Sequence, residues 1–454
     1  MMGDSLSDRG TMYHRRLFGM IPMSKLTGLQ SESPAGRFTN GLAWSDHVSA
    51  WIAEDFEIKE LETKEQLRPE DIADDVIDGA LETVPLVQKT FSLNDDRMIT
   101  YKGEAFVRNY DEGGLTAYDY SWQPSKSISR FFARLILSTL SAMRKKLLAY
   151  DDAHELSQEH KDETLVVEWS GANDLITANE RPSAVEVDHA IIARIENVKQ
   201  LMKAGYRHFV LFNLPNLALT PRYQAKSEAE RTNAQVCSAR FNAELAKACL
   251  DLSANYPHCS IELFDVNHVF EEIYQYPEAH GFEKEKLKEP FIKSRDFEIE
   301  KNGTSPAKGY MFWDDVHPTA DMHALLAQRF YTKYKLEYQF TAPTVDAVHQ
   351  KELHVSEEEL LHSFRKVYGE MLTRDRNGFF GGFRHSNIHY ATANLDEILT
   401  HALYNGGNRS LAVMKELQWF DEKGNLNLNI PVLKAAVARV REARSEGVSV
   451  VPSQ

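Results

Sequence analysis

Apolar positions along the chain fall into two kinds of pattern, and their alternation sets the expected architecture. Leu165-Val166-Val167, Phe209-Val210-Leu211-Phe212 and Ile261-Glu262-Leu263-Phe264-Asp265 are short runs with the length and residue types of buried strands. Between them the period changes to 3.6. Val187, Ile191, Ile195, Val198 and Met202 share one helical face, with Gly205 as the stop, and Phe241, Leu245, Ala248 and Leu252 share another. Strand, helix, strand, helix, strand at these spacings predicts a parallel sheet with helices on its faces. In such a sheet, ligands sit outside the C-terminal strand ends.

The flanks extend this picture. Trp44, Val48, Trp51 and Ile52 recur at helical spacing, as do Met322, Leu325, Leu326 and Phe330. From Ile128 onward, Phe131, Phe132, Leu135, Ile136, Leu140, Met143 and Leu147 predict one long amphipathic helix. Residues 57–82 are charged and weakly patterned, as a variable surface insertion would be. Around Ala342-Pro343-Thr344 the pattern changes, and from there only helices are expected. Ser356 with Glu359 forms a capping box, Leu395, Ile398, Leu399 and Ala402 follow the helical period, and Pro431 suits the first turn of a last helix. A glycine-aromatic loop, Gly378-Phe379-Phe380-Gly381-Gly382-Phe383, lies between them. Two domains are therefore expected, an α/β domain over 1–340 and a helical C-terminal domain over 345–454.

Composition narrows the function classes. The 454 residues are 43% hydrophobic and 26% charged, the shares of an ordinary soluble globular protein. A formal net charge of -15 argues against a nucleic-acid partner and against tight electrostatic docking on anionic lipid. No run of roughly 18 apolar residues occurs, so no transmembrane segment is expected. A basic n-region with an apolar h-region is absent from the N-terminus, which predicts a cytoplasmic location. Cys237, Cys249 and Cys259 are too few and too widely spaced for a disulfide framework or a zinc knuckle, so reduced, mostly buried thiols are expected.

The chemistry-bearing residues are ambiguous one at a time. Gly3-Asp4-Ser5 is a turn or helix N-cap in its ordinary reading and a nucleophile turn in its functional one. Asp314-Asp315-Val316-His317, just before Pro318, reads equally well as a capping turn and as a base with its orienting carboxylate. Gly113-Gly114 is a bend before it is anything else, and Gly171-Ala172-Asn173-Asp174 is turn chemistry. Their order is more informative. A serine hydroxyl needs an imidazole to take its proton, the imidazole needs a carboxylate on its other nitrogen, and the developing oxyanion needs donors. Each such donor has been worth roughly 2.7–4 kcal/mol where one was removed from an enzyme. Ser5, Gly114, Asn173, Asp314 and His317 supply these roles in turn. No Gly-x-Ser-x-Gly elbow, phosphate loop, dinucleotide fingerprint or metal-ligand spacing competes with them.

Together these blocks closely resemble the SGNH (GDSL-type) hydrolases. Gly3-Asp4-Ser5-Leu6-Ser7-Asp8 looks like the family's first block, residues 109–117 like its second, Gly171-Ala172-Asn173-Asp174 like its third, and Asp314-Asp315-Val316-His317-Pro318-Thr319 like its last. Gly36-Arg37-Phe38-Thr39-Asn40-Gly41 and Asn213-Leu214-Pro215 are similar to accessory motifs of the branch containing bacterial lecithinases, haemolysins and lipases. The resemblance covers residues 1 to about 335. It implies a three-layer α/β/α, flavodoxin-like fold with a five-stranded parallel sheet, no cofactor and no metal. It further implies a catalytic triad of Ser5, Asp314 and His317, with an oxyanion hole from the Ser5 and Gly114 amides and the Asn173 side chain.

The activity this implies is a serine esterase on lipid acyl esters, such as a phospholipase A, a lysophospholipase or an acyltransferase, in a bacterial protein. Its partners are then a lipid or other acyl-ester substrate and peripheral lipid contact, with export by a signal-independent route as the alternative to the cytoplasm. Two other readings stand beside it: a carbohydrate O-acetylesterase on the same fold, and a scaffold whose C-terminal helical domain binds a protein partner. The chain departs from the family pattern in two places. Only Met1 and Met2 precede the Gly-Asp-Ser turn, so either the start is truncated or misassigned or the first strand is very short. An authentic start predicts a frayed N-terminus and a loosely held Ser5. Asp111 and Glu112 replace residues that are usually small or apolar, so they either add negative potential beside the oxyanion hole or face solvent.

Overall fold

The computed structural model describes residues 1–343 apart from 65–96, 102–103, 180, 300–304 and short stretches within 18–35 and 122–133. The expected C-terminal helical domain over 345–454, with its capping box and glycine-aromatic loop, lies outside the described residues, as do residues 65–82 of the expected surface insertion. In chain order the strands are β1 (Met2–Gly3), a short hairpin of β2 (Arg16–Leu17) and β3 (Ile21–Pro22), a second hairpin of β4 (Met98–Tyr101) and β5 (Glu104–Arg108), then β6 (Leu165–Trp169), β7 (His208–Phe212) and β8 (Ser260–Phe264). Strands β1, β6, β7 and β8 form one parallel sheet in that spatial order.

A five-stranded sheet was expected, and the described residues contain a four-stranded one. The fifth position is filled by irregular chain. Residues 108–112 run alongside β1 in the same direction: the Met1 nitrogen donates to the Arg108 carbonyl at 2.6 Å, Tyr110 N–H to Met1 at 2.9 Å and Glu112 N–H to Gly3 at 3.0 Å. The ladder stops there because Leu115 N–H folds back onto the Glu112 carbonyl. The two-residue β1 is thus an interior strand, and the frayed start does not occur. Met2 is buried, and Asp4 N–H continues the pairing onto the Trp169 carbonyl at 3.2 Å. A Cβ on Gly3 would stand 2.8 Å from that same carbonyl oxygen, so the close approach needs glycine.

Adjacent residues of β6 define the two faces of the sheet, since strand side chains alternate. Trp169 points to the layer that contains Trp44, at 6.2 Å between ring centroids. That layer is the Trp44–Lys64 helix packed on the Ala320–Tyr338 helix, with Trp44, Phe212 and Phe330 in mutual ring contact. Glu168 points the other way, toward the Ala184–Lys203 helix, which packs between the Leu140–Ala153 and Glu228–Asn255 helices. The expected strand, helix, strand, helix, strand order over 165–264 is present.

Two local expectations are corrected. The helix read from Ile128 through Leu147 is broken, because Thr116 pairs with the chain at that point: its N–H donates to Ser138 and its carbonyl accepts from Leu140 N–H. Thr139 then caps a helix that starts only at Leu140, its hydroxyl accepting from Ala142 N–H. Strand β6 also runs past Val167, where the sequence placed its end, and carries Glu168 into the core. There Arg194 Nε donates to Glu168 Oε1 at 2.6 Å, Asn197 Nδ2 to Oε2 at 2.9 Å and Ser170 Oγ to Oε1 at 3.1 Å. The same guanidinium reaches the Phe212 carbonyl at 2.9 Å, so one ion pair joins β6, β7 and the helix above them.

Removing one partner of such a pair strands a buried charge, whereas replacing both does not. Arg194→Met is expected to lower unfolding free energy by about 3–5 kcal/mol, and a paired Glu168→Leu, Arg194→Met variant to recover much of it, both read from urea titrations of the full chain. A single-variant loss under about 1 kcal/mol would show that the pair is not held as described.

Candidate active site

Ser5 occupies the turn just beyond β1, at the C-terminal end of the sheet. The turn is closed by its own backbone and by carboxylates. Ser7 and Asp8 N–H groups both donate to the Asp4 carbonyl at 3.1 Å, and Leu6 N–H donates to Asp4 Oδ1 at 3.0 Å. Burial pushes the Asp4 carboxyl up to about 6 despite the Leu6 N–H bond. Asp8 is fully buried and gathers four amides: Gly10 and Thr11 on Oδ1 at 2.8 and 2.6 Å, Met12 and Gly113 on Oδ2 at 3.2 and 2.6 Å. A carboxylate offers about four acceptor positions, so this one side chain is saturated and ties the Ser5 turn to the Gly113-Gly114 turn.

The loop carrying Asp314 and His317 reaches Ser5 from the other end of the chain. Residues 312 and 318 form an antiparallel bridge, and Trp313 N–H donates to the His317 carbonyl at 2.8 Å, which pinches the loop. Asp314 Oδ1 accepts from the Val316 and His317 amides at 2.8 and 2.7 Å. Its Oδ2 lies 2.7 Å from His317 Nδ1, and His317 Nε2 lies 2.7 Å from Ser5 Oγ. Three residues in two distant segments therefore share one continuous hydrogen-bonded path. Ser5 is 8% exposed and the His317 side chain 17%, so the path is sheltered but reachable.

Electrostatics along the path run in opposite directions at its two ionisable ends. Burial would raise the Asp314 carboxyl, but the His317 charge and three hydrogen bonds outweigh it and hold the group below its ordinary range. Burial would lower the His317 imidazole, but the Asp314 charge and hydrogen bond outweigh it and hold the ring above its ordinary value. The Phe38 ring covers the imidazole at 5.1 Å between centroids.

Gly114 and Asn173 are linked through Leu115, whose carbonyl accepts from Asn173 Nδ2. Gly114 has φ +79, a conformation that glycine adopts freely, and a Cβ there would come within 2.6 Å of the Leu137 side chain. Its neighbours Gly113 and Leu115 donate to Asp8 and to the Glu112 carbonyl, while the Gly114 N–H makes no hydrogen bond among the described residues. Asn173 follows the end of β6. Its Oδ1 accepts from the Thr177 hydroxyl at 2.5 Å and its Nδ2 donates to the Leu115 carbonyl at 3.1 Å, leaving the second amide hydrogen for another acceptor. Asp174, fully buried, accepts from Ala117 and Tyr118 amides at 2.8 and 2.9 Å and so joins the two loops. All five sequence-selected residues converge at one end of the sheet.

Asp111 and Glu112 neither face solvent nor add free charge. Both are 1% exposed. Glu112 pairs with Arg15 and accepts from the Ser138 hydroxyl at 2.6 Å, while burial holds the Asp111 carboxyl well above its ordinary pKa.

Several contributors had no strong signal in the sequence. Phe38, Thr39 and Asn40 belong to a loop that read only as an accessory motif, yet Thr39 and Asn40 reach the chain at Pro318 and Ala320. Arg222 pairs with Asp315, Nε to Oδ2 at 2.9 Å, and its N–H donates to the Asp315 carbonyl at 2.8 Å, bracing the loop from the segment after β7. A distance in sequence of about 93 residues hides that contact from any local pattern.

The model of the GDSL-like lipase/acylhydrolase family matches residues 1–330. The phosphatidylcholine-sterol acyltransferase of Aeromonas hydrophila is 24% identical over 388 residues, covering 75% of this chain and 91% of that protein. The thermolabile hemolysin of Vibrio parahaemolyticus is 26% identical over 203 residues, 42% of this chain and 46% of that one. An anther-specific proline-rich protein of Brassica napus is 24% identical over 361 residues, 73% of this chain and 70% of that one. The family match begins before Ser5, ends beyond His317 and includes every strand of the parallel sheet, and on it the chain belongs to the GDSL-like lipase/acylhydrolase family.

Proposed function

We propose that the protein is a serine esterase that cleaves acyl esters of lipids through an acyl-enzyme on Ser5. The observation that carries this reading is the path from Ser5 Oγ through His317 to Asp314, with 2.7 Å at both steps. In it, Ser5 Oγ attacks the ester carbonyl while His317 Nε2 takes its proton, and Asp314 holds the tautomer and stabilises the imidazolium. The tetrahedral oxyanion is met by the Ser5 and Gly114 amides and the free amide hydrogen of Asn173. Collapse expels the alcohol, which takes the proton back from His317. Water or a second alcohol, deprotonated by the same nitrogen, then releases the acyl group.

The lipid part of the reading draws on the relatives. The Aeromonas protein is a phosphatidylcholine-sterol acyltransferase by name, and the similarity covers 91% of it. Hydrolysis and transfer share every step up to the acyl-enzyme and differ only in the acceptor, so both are within reach of this site.

A fluorophosphonate probe is expected to label the wild type and not Ser5→Ala, which should lose turnover on the order of 10⁶-fold by comparison with a dissected triad. Chain-length profiling with nitrophenyl esters, followed by lipid analysis of phosphatidylcholine incubations with and without sterol, tests the substrate class. An acetyl-only preference would remove the lipid reading.

The pH profile follows from the two carboxylate-imidazole shifts. His317 must be neutral to accept the proton, so kcat/KM should fall as pH drops through its pKa, with the midpoint above 6.5. Asp314→Asn removes the two largest influences that raise His317 and leaves burial, which lowers it, opposed only by the smaller effect of the Asp4 charge. The variant's midpoint should therefore move to lower pH while its kcat drops on the order of 10⁴-fold. A midpoint that stays put or rises in the variant would contradict this assignment of base and orienting acid.

A further inference from the structure

We propose that Thr39 and Asn40 are positioning residues that set where His317 stands relative to Ser5. The inference rests on the triad reading above and adds to it the device that aligns the two halves. Ser5 and His317 come from opposite ends of the described chain, and their contact is short. A displacement of about 1 Å would carry that contact out of hydrogen-bonding range, so something must fix the spacing.

The segment 37–46 touches both halves. Toward Ser5, Trp44 Nε1 donates to Ser7 Oγ at 3.0 Å and Ser45 Oγ to the Ser7 carbonyl at 3.3 Å. Arg9, just past the nucleophile turn, and Arg37 both grip the Asp46 carboxylate, at 2.7 and 2.6 Å from their Nε atoms. Burial would raise the Asp46 carboxyl, but the two guanidinium groups outweigh it and hold it ionised. Toward His317, Thr39 Oγ1 donates to the Pro318 carbonyl at 3.0 Å. Asn40 Oδ1 accepts from Ala320 N–H at 2.9 Å, and its Nδ2 donates to the Ser305 carbonyl at 3.0 Å. Thr39 and Asn40 are fully buried.

The bond to Ala320 is a helix cap supplied from elsewhere in the chain. Helices leave their first amides without partners, and the residue before the first turn commonly fills one. Thr319 holds that position for the Ala320–Tyr338 helix and makes no side-chain cap bond. Its hydroxyl donates instead to the Tyr310 carbonyl at 2.9 Å. Asn40, far away in sequence, takes the Ala320 N–H, another of the first-turn amides that the helix itself leaves unpaired. The chain between His317 and the helix start is only Pro318 and Thr319, so Asn40 and Thr39 fix both ends of the short link that carries the imidazole. A residue serving only to close a surface loop would not need two buried bonds to this link.

The test uses the full chain and compares Thr39→Val, which keeps shape and loses the hydroxyl, with Thr39→Ser, which keeps the hydroxyl, and with Asn40→Ala. Ser227→Ala, at the exposed capping box of the Glu228–Asn255 helix, is the control for loss of a cap away from the site. For each, kcat and KM on a short-chain nitrophenyl ester are normalised to the folded fraction from urea titration. Thr39→Val and Asn40→Ala should lose roughly ten- to a hundredfold in kcat with KM within about twofold of wild type, and Thr39→Ser should recover most of it. Ser227→Ala should lower the urea midpoint and keep kcat. Wild-type kcat per folded molecule in Thr39→Val would overturn the inference, as would failure of Thr39→Ser to recover, and this pair decides even where Asn40→Ala does not fold. Ser5→Ala in the same assay separates the two levels: its retained turnover would sink the triad reading, whereas its loss beside an unchanged Thr39→Val sinks only the positioning role.

Discussion

Two residues of strand carry Ser5, and they suffice because both edges of that strand are bonded. Met2 and Gly3 pair with Glu168 and Trp169 on one side, and residues 108–112 close the other. An edge strand of this length would present unpaired amides to water and fray. An interior one is fixed by its neighbours, and its glycine lets the Trp169 carbonyl approach to a distance that a side chain would forbid. Everything at the site is referred to this point. The Gly113-Gly114 turn, the β6 end that leads to Asn173 and the Asp8 tie all take their places from the strand's two partners.

Beyond the sheet, aspartates do the work of regular structure. Asp8, Asp174 and Asp314 are each buried, and each accepts amide hydrogens from irregular chain. A carboxyl group can accept several bonds at once in directions that a peptide carbonyl cannot cover, although burial pushes Asp8 and Asp174 up to about 7 and only Asp314 is held below its ordinary range. Loops held this way are rigid without helix or ladder, which is what a turn presenting Ser5 or His317 requires. Some of the chain's acidic excess is therefore buried scaffolding, and the net charge describes its surface less well than composition suggests.

What the sequence revealed and what it hid follow from the range of the interactions. Strands β6, β7 and β8 were legible because a buried parallel strand is a short apolar run whatever surrounds it. The five candidate residues could be singled out because loop chemistry at strand ends is local and their order along the chain removed much of the ambiguity, and three of them, Ser5, His317 and Asp314, share one hydrogen-bonded path. Glu168 was not legible, since only Arg194 on a separate helix makes a carboxylate acceptable in the core. The break at Thr139 was hidden as well: Ile136, Leu140 and Met143 keep helical spacing, and the strand-like pairing of Thr116 overrides it. The Asn40 bond to Ala320 has no local signature at all, because 280 positions of chain separate the two residues.

The two acidic residues of the second block show how such long-range contacts set the local charge beside the Ser5 turn. An uncompensated carboxylate about 4 Å from a developing oxyanion would oppose it by roughly 4 kcal/mol at the effective dielectric of a protein surface, enough to cancel one oxyanion donor. Neither Asp111 nor Glu112 presents such a charge. Arg15 neutralises Glu112, and its guanidinium also reaches the Ile136 carbonyl and the Ser138 hydroxyl, each at 3.0 Å, on the segment that places Leu137 against Gly114. Asp111 makes no hydrogen bond through either side-chain oxygen among the described residues, and burial favours its neutral, protonated form. Burial pushes the acid without donors toward its neutral form, and the other acid is paired with a cation. The chain can therefore carry acids at these positions without leaving two unpaired negative charges beside the Gly113-Gly114 turn.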